Sequence, residues 1–145
     1  ILTSKSIRKL MSSNENIQEL SNQARVLESY LSEIQSRENL SMKIITETRA
    51  SLESLKSLKD IDNAETIFNM GGGITIKSNI EKPDTLMVNV GAGVVIEKSI
   101  ADSIQFLEEK LKELETAFTA LISQKNEISK QYNLLRNSLN QLMQN

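Results

Sequence analysis

The sequence predicts an α+β fold, in which a long antiparallel two-helix coiled coil carries two β-hairpins between its helices. All five Gly and the single Pro of the 145 residues lie between Gly71 and Gly93. On both sides of that window, apolar residues recur about every 3.5 residues, which is typical of a coiled-coil seam. Within it the period changes to two, as in β-strands. The chain therefore divides into a helix over residues 1–60, a hairpin segment over 65–98 and a helix over 99–145.

The N-terminal helix is predicted from a heptad pattern that weakens at Glu38, Ser41 and Thr48. Ser12 and Glu15 form a capping box, so we expect the firm helix to begin at Ser12, with residues 1–12 as a frayed extension. Apolar residues fill most of the a and d positions. These residues are Leu10, Ile17, Leu20, Ala24, Leu27, Leu31, Ile34, Ile45, Leu52 and Leu55.

The central segment contains four short stretches that predict strands. Three of them alternate apolar and polar residues, and Thr66–Met70 supplies the other. Gly71–Gly73, Lys82–Asp84 and Gly91–Gly93 separate the stretches and carry residues suited to tight turns. Neither glycine cluster ends in Gly-Lys-Ser/Thr or opens a helix, so we interpret both as turns and not as phosphate-binding loops.

The hairpins are expected to need other subunits, because an isolated hairpin is marginal in water and these strands have an apolar face. We therefore predict that the hairpin segment is an oligomerisation module. The turn glycines are Gly71, Gly72, Gly73, Gly91 and Gly93. The predicted contact residues are Ile67, Phe68, Ile74, Ile76, Ile80, Leu86, Val88, Val90, Val94 and Ile96.

The C-terminal helix has the most regular pattern in the chain. From Ile100 to Leu142 the seam positions alternate in steps of four and three, and Lys125 is the one charged residue among them. The strand turns bring the second helix back along the first, so the two seams should pair antiparallel. That pairing places Glu38 within about a layer of Lys125, and we hypothesise an ion pair that fixes the register. In the alternative, each side chain extends independently to solvent.

Composition excludes several functional classes. The chain has no His, Cys or Trp, which excludes a His base, a Cys nucleophile, a His/Cys metal site and disulfides. We therefore predict no enzyme, no cofactor and no metal, and the absence of Cys fits a reducing compartment. A net charge of −2 gives no overall basic footprint for nucleic acid, and the apolar runs are too short to span a membrane.

Two motifs resemble the prefoldin family, and in particular its alpha-type subunit. Val88–Lys98 is similar to the family's strand, Gly-Ala-Gly turn and apolar strand ending in Glu-Lys. Met70–Lys77 is similar to the family's earlier glycine turn and the strand that follows. A Pro that often stands in the strand before that turn is absent here, around Asn69. The layout of helix, two hairpins and helix extends the resemblance to the whole chain.

The resemblance implies a function. Prefoldin is an ATP-independent chaperone of two alpha-type and four beta-type subunits, whose hairpins form intersubunit β-barrels. The far ends of its coiled coils hold non-native proteins and deliver them to a group II chaperonin in the cytosol. By resemblance, then, the partners of this chain are beta-type subunits, unfolded clients and a group II chaperonin, with neither nucleic acid nor membrane.

The client site should lie at the coiled-coil end farthest from the hairpins. Leu134 and Met143 lie off the seam, so helix pairing would leave them exposed. The candidate residues are Ile7, Leu10, Met11, Leu134, Leu135, Leu139, Leu142 and Met143. One alternative is a structural homo-oligomer or filament of prefoldin-like subunits without client transfer. Another is a small enzyme that uses the central sheet, which the residue types disfavour.

Overall fold

The computed structural model describes residues 3–144, and it confirms the predicted order of elements. The described chain forms two compact units. The terminal unit contains residues 3–42 and 116–144, and the central unit is Lys43–Glu115. The elements in chain order are α1 (Ser4–Lys59), β1 (Asn63–Gly71), β2 (Ile74–Glu81), β3 (Thr85–Gly91), β4 (Val94–Ser99) and α2 (Ile100–Gln144).

Helix α1 begins at Ser4, eight residues before the expected firm start at Ser12. Thr3 caps the helix: its Oγ1 accepts a hydrogen bond of 3.3 Å from the backbone N–H of Ser6. The first backbone helical bond follows, from the N–H of Ile7 to the carbonyl oxygen of Thr3 at 3.0 Å. Thr is a good N-cap residue. The helix that it caps includes residues 4–12, which we expected to be frayed.

The seam residues form the interior of each unit. In the terminal unit Ala24, Ile34, Leu121 and Leu139 are buried, and all four are a or d positions. Their spacing removes a narrow apolar stripe from water, which is the main stabilising contribution in a two-helix pair.

In the central unit, Ile45, Leu52 and Ile100 are buried together with the polar residues Thr48 and Ser103. The Thr48 hydroxyl donates to the Ile44 carbonyl at 2.8 Å. Ser103 donates in the same way to the carbonyl of Ser99, also at 2.8 Å. Buried polar groups are tolerated when they are hydrogen-bonded, so these hydroxyls fit into the interior.

The four strands form two separate antiparallel hairpins, β1 with β2 and β3 with β4. The connections Gly71–Gly73 and Gly91–Gly93 lie within hairpins, and Lys82–Asp84 lies between them, as predicted. Strand β1 begins at Asn63, earlier than the predicted Thr66.

The two hairpin turns are built alike. The side-chain Oδ1 of Asn69 accepts a hydrogen bond from the N–H of Gly71 at 2.9 Å, and Oδ1 of Asn89 accepts one from Gly91 at 3.0 Å. The strand register shifts between the Asn and the Gly in both hairpins. Among the described residues, Ala92 at φ 51° is the only non-glycine residue with positive φ.

Both helices meet the hairpin segment through specific polar contacts. Lys82 donates its backbone N–H to the carbonyl of Asp62 at 2.9 Å and its Nζ to the carbonyl of Lys59 at 2.7 Å. At the other junction Oγ of Ser99 accepts from the N–H of Asp102 at 3.0 Å and caps α2. These contacts fix where α1 ends and where α2 begins.

Candidate functional site

The first hairpin has one apolar face. Residues opposite one another on paired strands project to the same side of the sheet. Phe68 lies opposite Ile76, and Ala64 lies opposite Ile80, so these four share a face. Phe68 and Ile76 are exposed, whereas Ala64 and Ile80 nearer the helices are half-buried. No other residue of the described chain buries the exposed side chains of Phe68 and Ile76.

Ile67 lies on the other face of this hairpin, so it does not belong to the surface formed by Phe68 and Ile76. Its cross-strand partner is Lys77, whose Nζ lies 3.8 Å from Oε1 of Glu65. The sequence grouped Ile67 with Phe68, but adjacent strand residues project to opposite sides. Met70, which the sequence analysis omitted, is an exposed apolar residue two positions after Phe68.

The second hairpin has apolar residues on both faces. Val88 lies opposite Ile96 and Leu86 opposite Lys98, on the predicted face. The opposite face carries Met87, which is 77% exposed. Val95 is also exposed, and it lies opposite Asn89 on that second face. Met87 and Val95 were not among the predicted contact residues, because the pattern was interpreted as a single apolar face.

The predicted face of the second hairpin is partly covered by the helices of the central unit. A groove of about 620 Å³ is lined by residues of both helices and of β3, including Leu55, Leu86, Val88 and Phe106. The Nζ of Lys98 lies 5.5 Å from the centroid of the Phe106 ring, within the range of a cation–π interaction. Leu86 and Val88 are half-buried as a result, and the residues near the turn remain exposed.

The predicted client residues divide into accessible and inaccessible ones. Leu134 is 67% exposed and Met143 is 70% exposed, as expected for positions off the seam. Leu139 is only 5% exposed because it packs in the seam, so it is not available at the surface. The remaining candidates are Ile7, Leu10 and Met11, which are exposed, and Leu135 and Leu142, which are half-buried.

A polar cluster interrupts the seam of the terminal unit. The Nζ of Lys125 lies 2.7 Å from Oε2 of Glu38 and donates to Oε1 of Gln35 at 2.8 Å. The predicted ion pair is confirmed, and independent extension of the two side chains to solvent is wrong. Because the side chains are only 20% and 30% exposed, the pair is partly shielded from water.

A second polar contact joins the helices of the same unit. The hydroxyl of Tyr132 donates to Oε1 of Glu28 at 2.5 Å. This hydrogen bond, with partial desolvation and the charge of Glu28, raises the pKa of Tyr132 above its ordinary value of 10.0, while Arg136 lowers it slightly. Ionisation of Tyr132 would remove the donor and place two negative charges together.

The described residues were searched for metal-binding groups and for membrane-spanning helices. Across residues 3–144, no group of three or more carboxylates is arranged to hold a metal ion. Neither α1 nor α2 contains a described stretch that is apolar enough to cross a membrane. The surfaces that stand out are therefore the exposed apolar residues of the hairpins and of the helix ends.

These features define a class of protein: two long helices joined by two β-hairpins that carry exposed apolar side chains. The family described as Prefoldin subunit matches residues 27–145. The chain therefore belongs to the prefoldin family, whose members are chaperone subunits that assemble into oligomers.

The relatives agree with the predicted resemblance to the alpha-type subunit. Prefoldin subunit alpha from Nitrosopumilus maritimus is 32% identical over 132 residues, which are 91% of this chain and 91% of that protein. Prefoldin subunit alpha from Archaeoglobus fulgidus is 30% identical over 113 residues, or 72% of this chain and 77% of that protein.

A solved structure supports the fold independently. A chain in the cryo-EM structure of filamentous PFD from Methanocaldococcus jannaschii matches with a TM-score of 0.67. The match covers 81% of this chain and 98% of that one, at 21% sequence identity. At this identity the likeness concerns the fold alone.

Proposed function

We propose that this chain is a subunit of an ATP-independent holding chaperone that captures non-native proteins and passes them to a group II chaperonin in the cytoplasm. The observation that carries the proposal is the set of apolar side chains exposed at the helix ends of the terminal unit. They are Ile7, Leu10, Met11, Leu134 and Met143. Flexible methionines suit such a surface because they adapt to irregular ligands.

The hairpins supply the assembly surface in this proposal. Phe68 and Ile76 on one hairpin, and Val94 and Ile96 on the other, are exposed apolar side chains. Strand edges next to such side chains are templates for pairing with another chain. Beta-type subunits of the same family are the proposed partners, with two alpha-type and four beta-type chains in a complex. Several arms would then hold one client through weak contacts that reinforce each other.

The test is suppression of client aggregation by the complex assembled with a beta-type subunit. We expect the double variant Leu134→Ser/Met143→Ser to assemble normally and to hold client less well. A matched control is Val26→Ser/Leu40→Ser, which removes two exposed apolar side chains elsewhere on α1. Equal suppression by the wild-type complex and the Leu134/Met143 variant would argue against a client role for these residues.

A second candidate function is a structural filament or homo-oligomer without client transfer. The observation in its favour is that the solved relative from Methanocaldococcus jannaschii is filamentous. Gel filtration and electron microscopy of the chain alone, and of the chain mixed with a beta-type subunit, separate the two functions. Filaments from the chain alone favour the structural function, and a defined mixed complex that suppresses aggregation favours the chaperone.

A further inference from the structure

Charge is distributed unevenly along α1. Of the 17 basic and 19 acidic residues in the chain, three basic residues and no acidic residue fall between Thr3 and Asn14. The three cations, Lys5, Arg8 and Lys9, are all exposed. None of them forms an ion pair with another residue in the part of the chain that the structure describes. This segment is therefore positive, although the whole chain has a net charge of −2.

The facing end of α2 does not neutralise this charge. Residues 137–144 contain no charged side chain, and Leu142 lines the same groove as Ser6, Lys9 and Leu10. We call the capping residue Thr3 and residues 4–14 of α1, together with residues 137–144 of α2, the basic end. The charge of the basic end is local, because residues 15–145 contain 14 basic and 19 acidic residues.

The groove at the basic end combines apolar and cationic groups. It has a volume of about 530 Å³ and is lined by Ser6, Lys9, Leu10, Ser13 and Leu142. Leu10 is exposed and Leu142 half-buried, so an incoming apolar side chain could contact both. Lys9 lies on the wall of the same groove, and its ammonium would meet any carboxylate next to that side chain.

The cations and the exposed apolar residues occupy different faces of α1. Ile7, Leu10 and Met11 follow an i, i+3, i+4 spacing and so share a face. Lys5 and Lys9 are four residues apart, on another face. Lys9 nevertheless lines the same groove as Leu10, so a ligand in that groove meets an apolar contact and a positive charge together.

We propose that the basic end selects acidic unfolded polypeptide segments, in which apolar residues stand next to Asp or Glu. The inference rests on the proposed holding function and names the class of client. Charge complementarity supports it, since three exposed and unneutralised cations attract carboxylates before apolar contact forms. The basic end has no aromatic side chain on which a nucleic-acid base could stack, which favours a polypeptide over single-stranded nucleic acid.

An unfolded polypeptide also fits the basic end better than a lipid surface does. A helix that lies in a bilayer surface presents a broad apolar face over many residues. Here the apolar face has three exposed members, Ile7, Leu10 and Met11. The groove against Leu142 adds little apolar surface, since Leu10 and Leu142 are the two apolar side chains among its lining residues.

The experiment measures binding of fluorescent peptides to the complex assembled from the full-length chain and a beta-type subunit. Three unfolded peptides have the same Leu content and carry Glu, Gln or Lys at the remaining positions. We expect the Glu peptide to bind most tightly. The variant Lys5→Gln/Arg8→Gln/Lys9→Gln should weaken its binding about eightfold, since each exposed charge pair changes a binding constant by about twofold. Binding of the Gln peptide should not change.

A matched control removes the same amount of charge elsewhere. Arg25→Gln/Arg37→Gln/Lys43→Gln replaces three exposed cations of α1 outside the basic end. We expect it to leave the preference for the Glu peptide intact, and an equal loss in this control overturns the proposal. Raising the ionic strength from about 0.1 M to about 1 M shortens the Debye length from about 10 Å to about 3 Å, and should abolish the preference.

The remaining outcomes separate this inference from the proposed function. Equal binding of the Glu and Gln peptides overturns acidic selection and leaves the holding function standing. Binding of none of the three peptides contradicts the holding function itself. Tighter binding of polyuridylate, or of vesicles containing phosphatidylserine, through the same three cations overturns the proposal in favour of nucleic acid or membrane.

Discussion

The Nζ of Lys82 donates a hydrogen bond of 2.7 Å to the carbonyl oxygen of Lys59, 23 residues earlier in the chain. The carbonyls of the last helical turn lack partners within the helix, and a cation near them also favours the helix dipole. Because the backbone N–H of Lys82 binds Asp62 as well, one residue joins the end of the first hairpin to the end of α1.

Replacing Lys82 by Met should loosen this junction. The Met side chain keeps the apolar stem and removes the donor, so we expect a loss of about 0.5–1.5 kcal/mol in the free energy of unfolding. Hydrogen exchange should accelerate at the amides of Asp60 and Ile61. Lys77→Met is the control: its ion pair with Glu65 is long and exposed, so the change should be below about 0.5 kcal/mol. Equal effects of the two variants contradict a special role for Lys82.

The raised pKa of Tyr132 predicts a specific response to alkaline pH. The folded-state pKa lies above the unfolded value of about 10, so the contact with Glu28 stabilises the fold fully below that pH. This stability is lost as the pH rises through the folded-state pKa of Tyr132. In a Tyr30→Phe background, ultraviolet titration should show Tyr132 ionising above pH 10, and adding Glu28→Gln should lower its midpoint. An unchanged midpoint would mean that the contact does not form in solution.

The turn glycines should differ in their tolerance of a side chain. Gly91 has φ 115° and Gly72 has φ 60°, and no atom lies within 4 Å of a Cβ added at either position. The cost is therefore one of backbone conformation alone. Gly72→Ala adopts the left-handed helical region at a cost of about 1–2 kcal/mol. Gly91→Ala lies outside that region and should cost more, up to about 3 kcal/mol. Urea unfolding of the two variants measures the difference, and the reverse order would contradict the backbone argument.

The two faces of the first hairpin should contribute differently to assembly. Ile76→Ser removes an apolar side chain from the face shared with Phe68, so we expect weaker association, seen as lower mass in sedimentation. Ile67→Ser changes the face that carries Lys77 and Glu65, and should assemble nearly as the wild type does. Both positions are exposed in the single chain, so neither change should unfold it. Weaker assembly of the Ile67 variant alone would assign the assembly surface to the opposite face.

The sequence was most informative where a repeating pattern had a single structural solution. The seam spacing predicted both helices, and the antiparallel register predicted the contact between Glu38 and Lys125, which is 2.7 Å long. The glycine turns predicted which strands pair, and the structure has the same pairs, β1 with β2 and β3 with β4. The boundary at Thr3 was less predictable, because Thr3 and Ser12 are both good N-cap residues and only the folded chain selects between them.

The interaction surfaces were harder to predict, because they depend on the direction in which each side chain projects. Ile67 and Phe68 are adjacent and apolar, and only the pairing of Phe68 with Ile76 shows which of them faces the apolar side. The seam pattern placed Leu139 between the helices, yet its position near the chain end suggested accessibility. Met87 was missed because the alternate positions Leu86, Val88 and Val90 were interpreted as the single apolar face of the strand, although Met87 on the other face is apolar too.

The repeated turn, with an Asn side chain bound to the glycine two residues later, occurs once in each hairpin of the subunit. If each hairpin attaches to a different neighbour, one molecule has two points of attachment. Units of valence two form either closed rings or open chains, depending on whether successive rotations bring the last unit back to the first. A partner with a single hairpin would end such a chain. The ratio of two-hairpin to one-hairpin subunits would then set the size of the assembly.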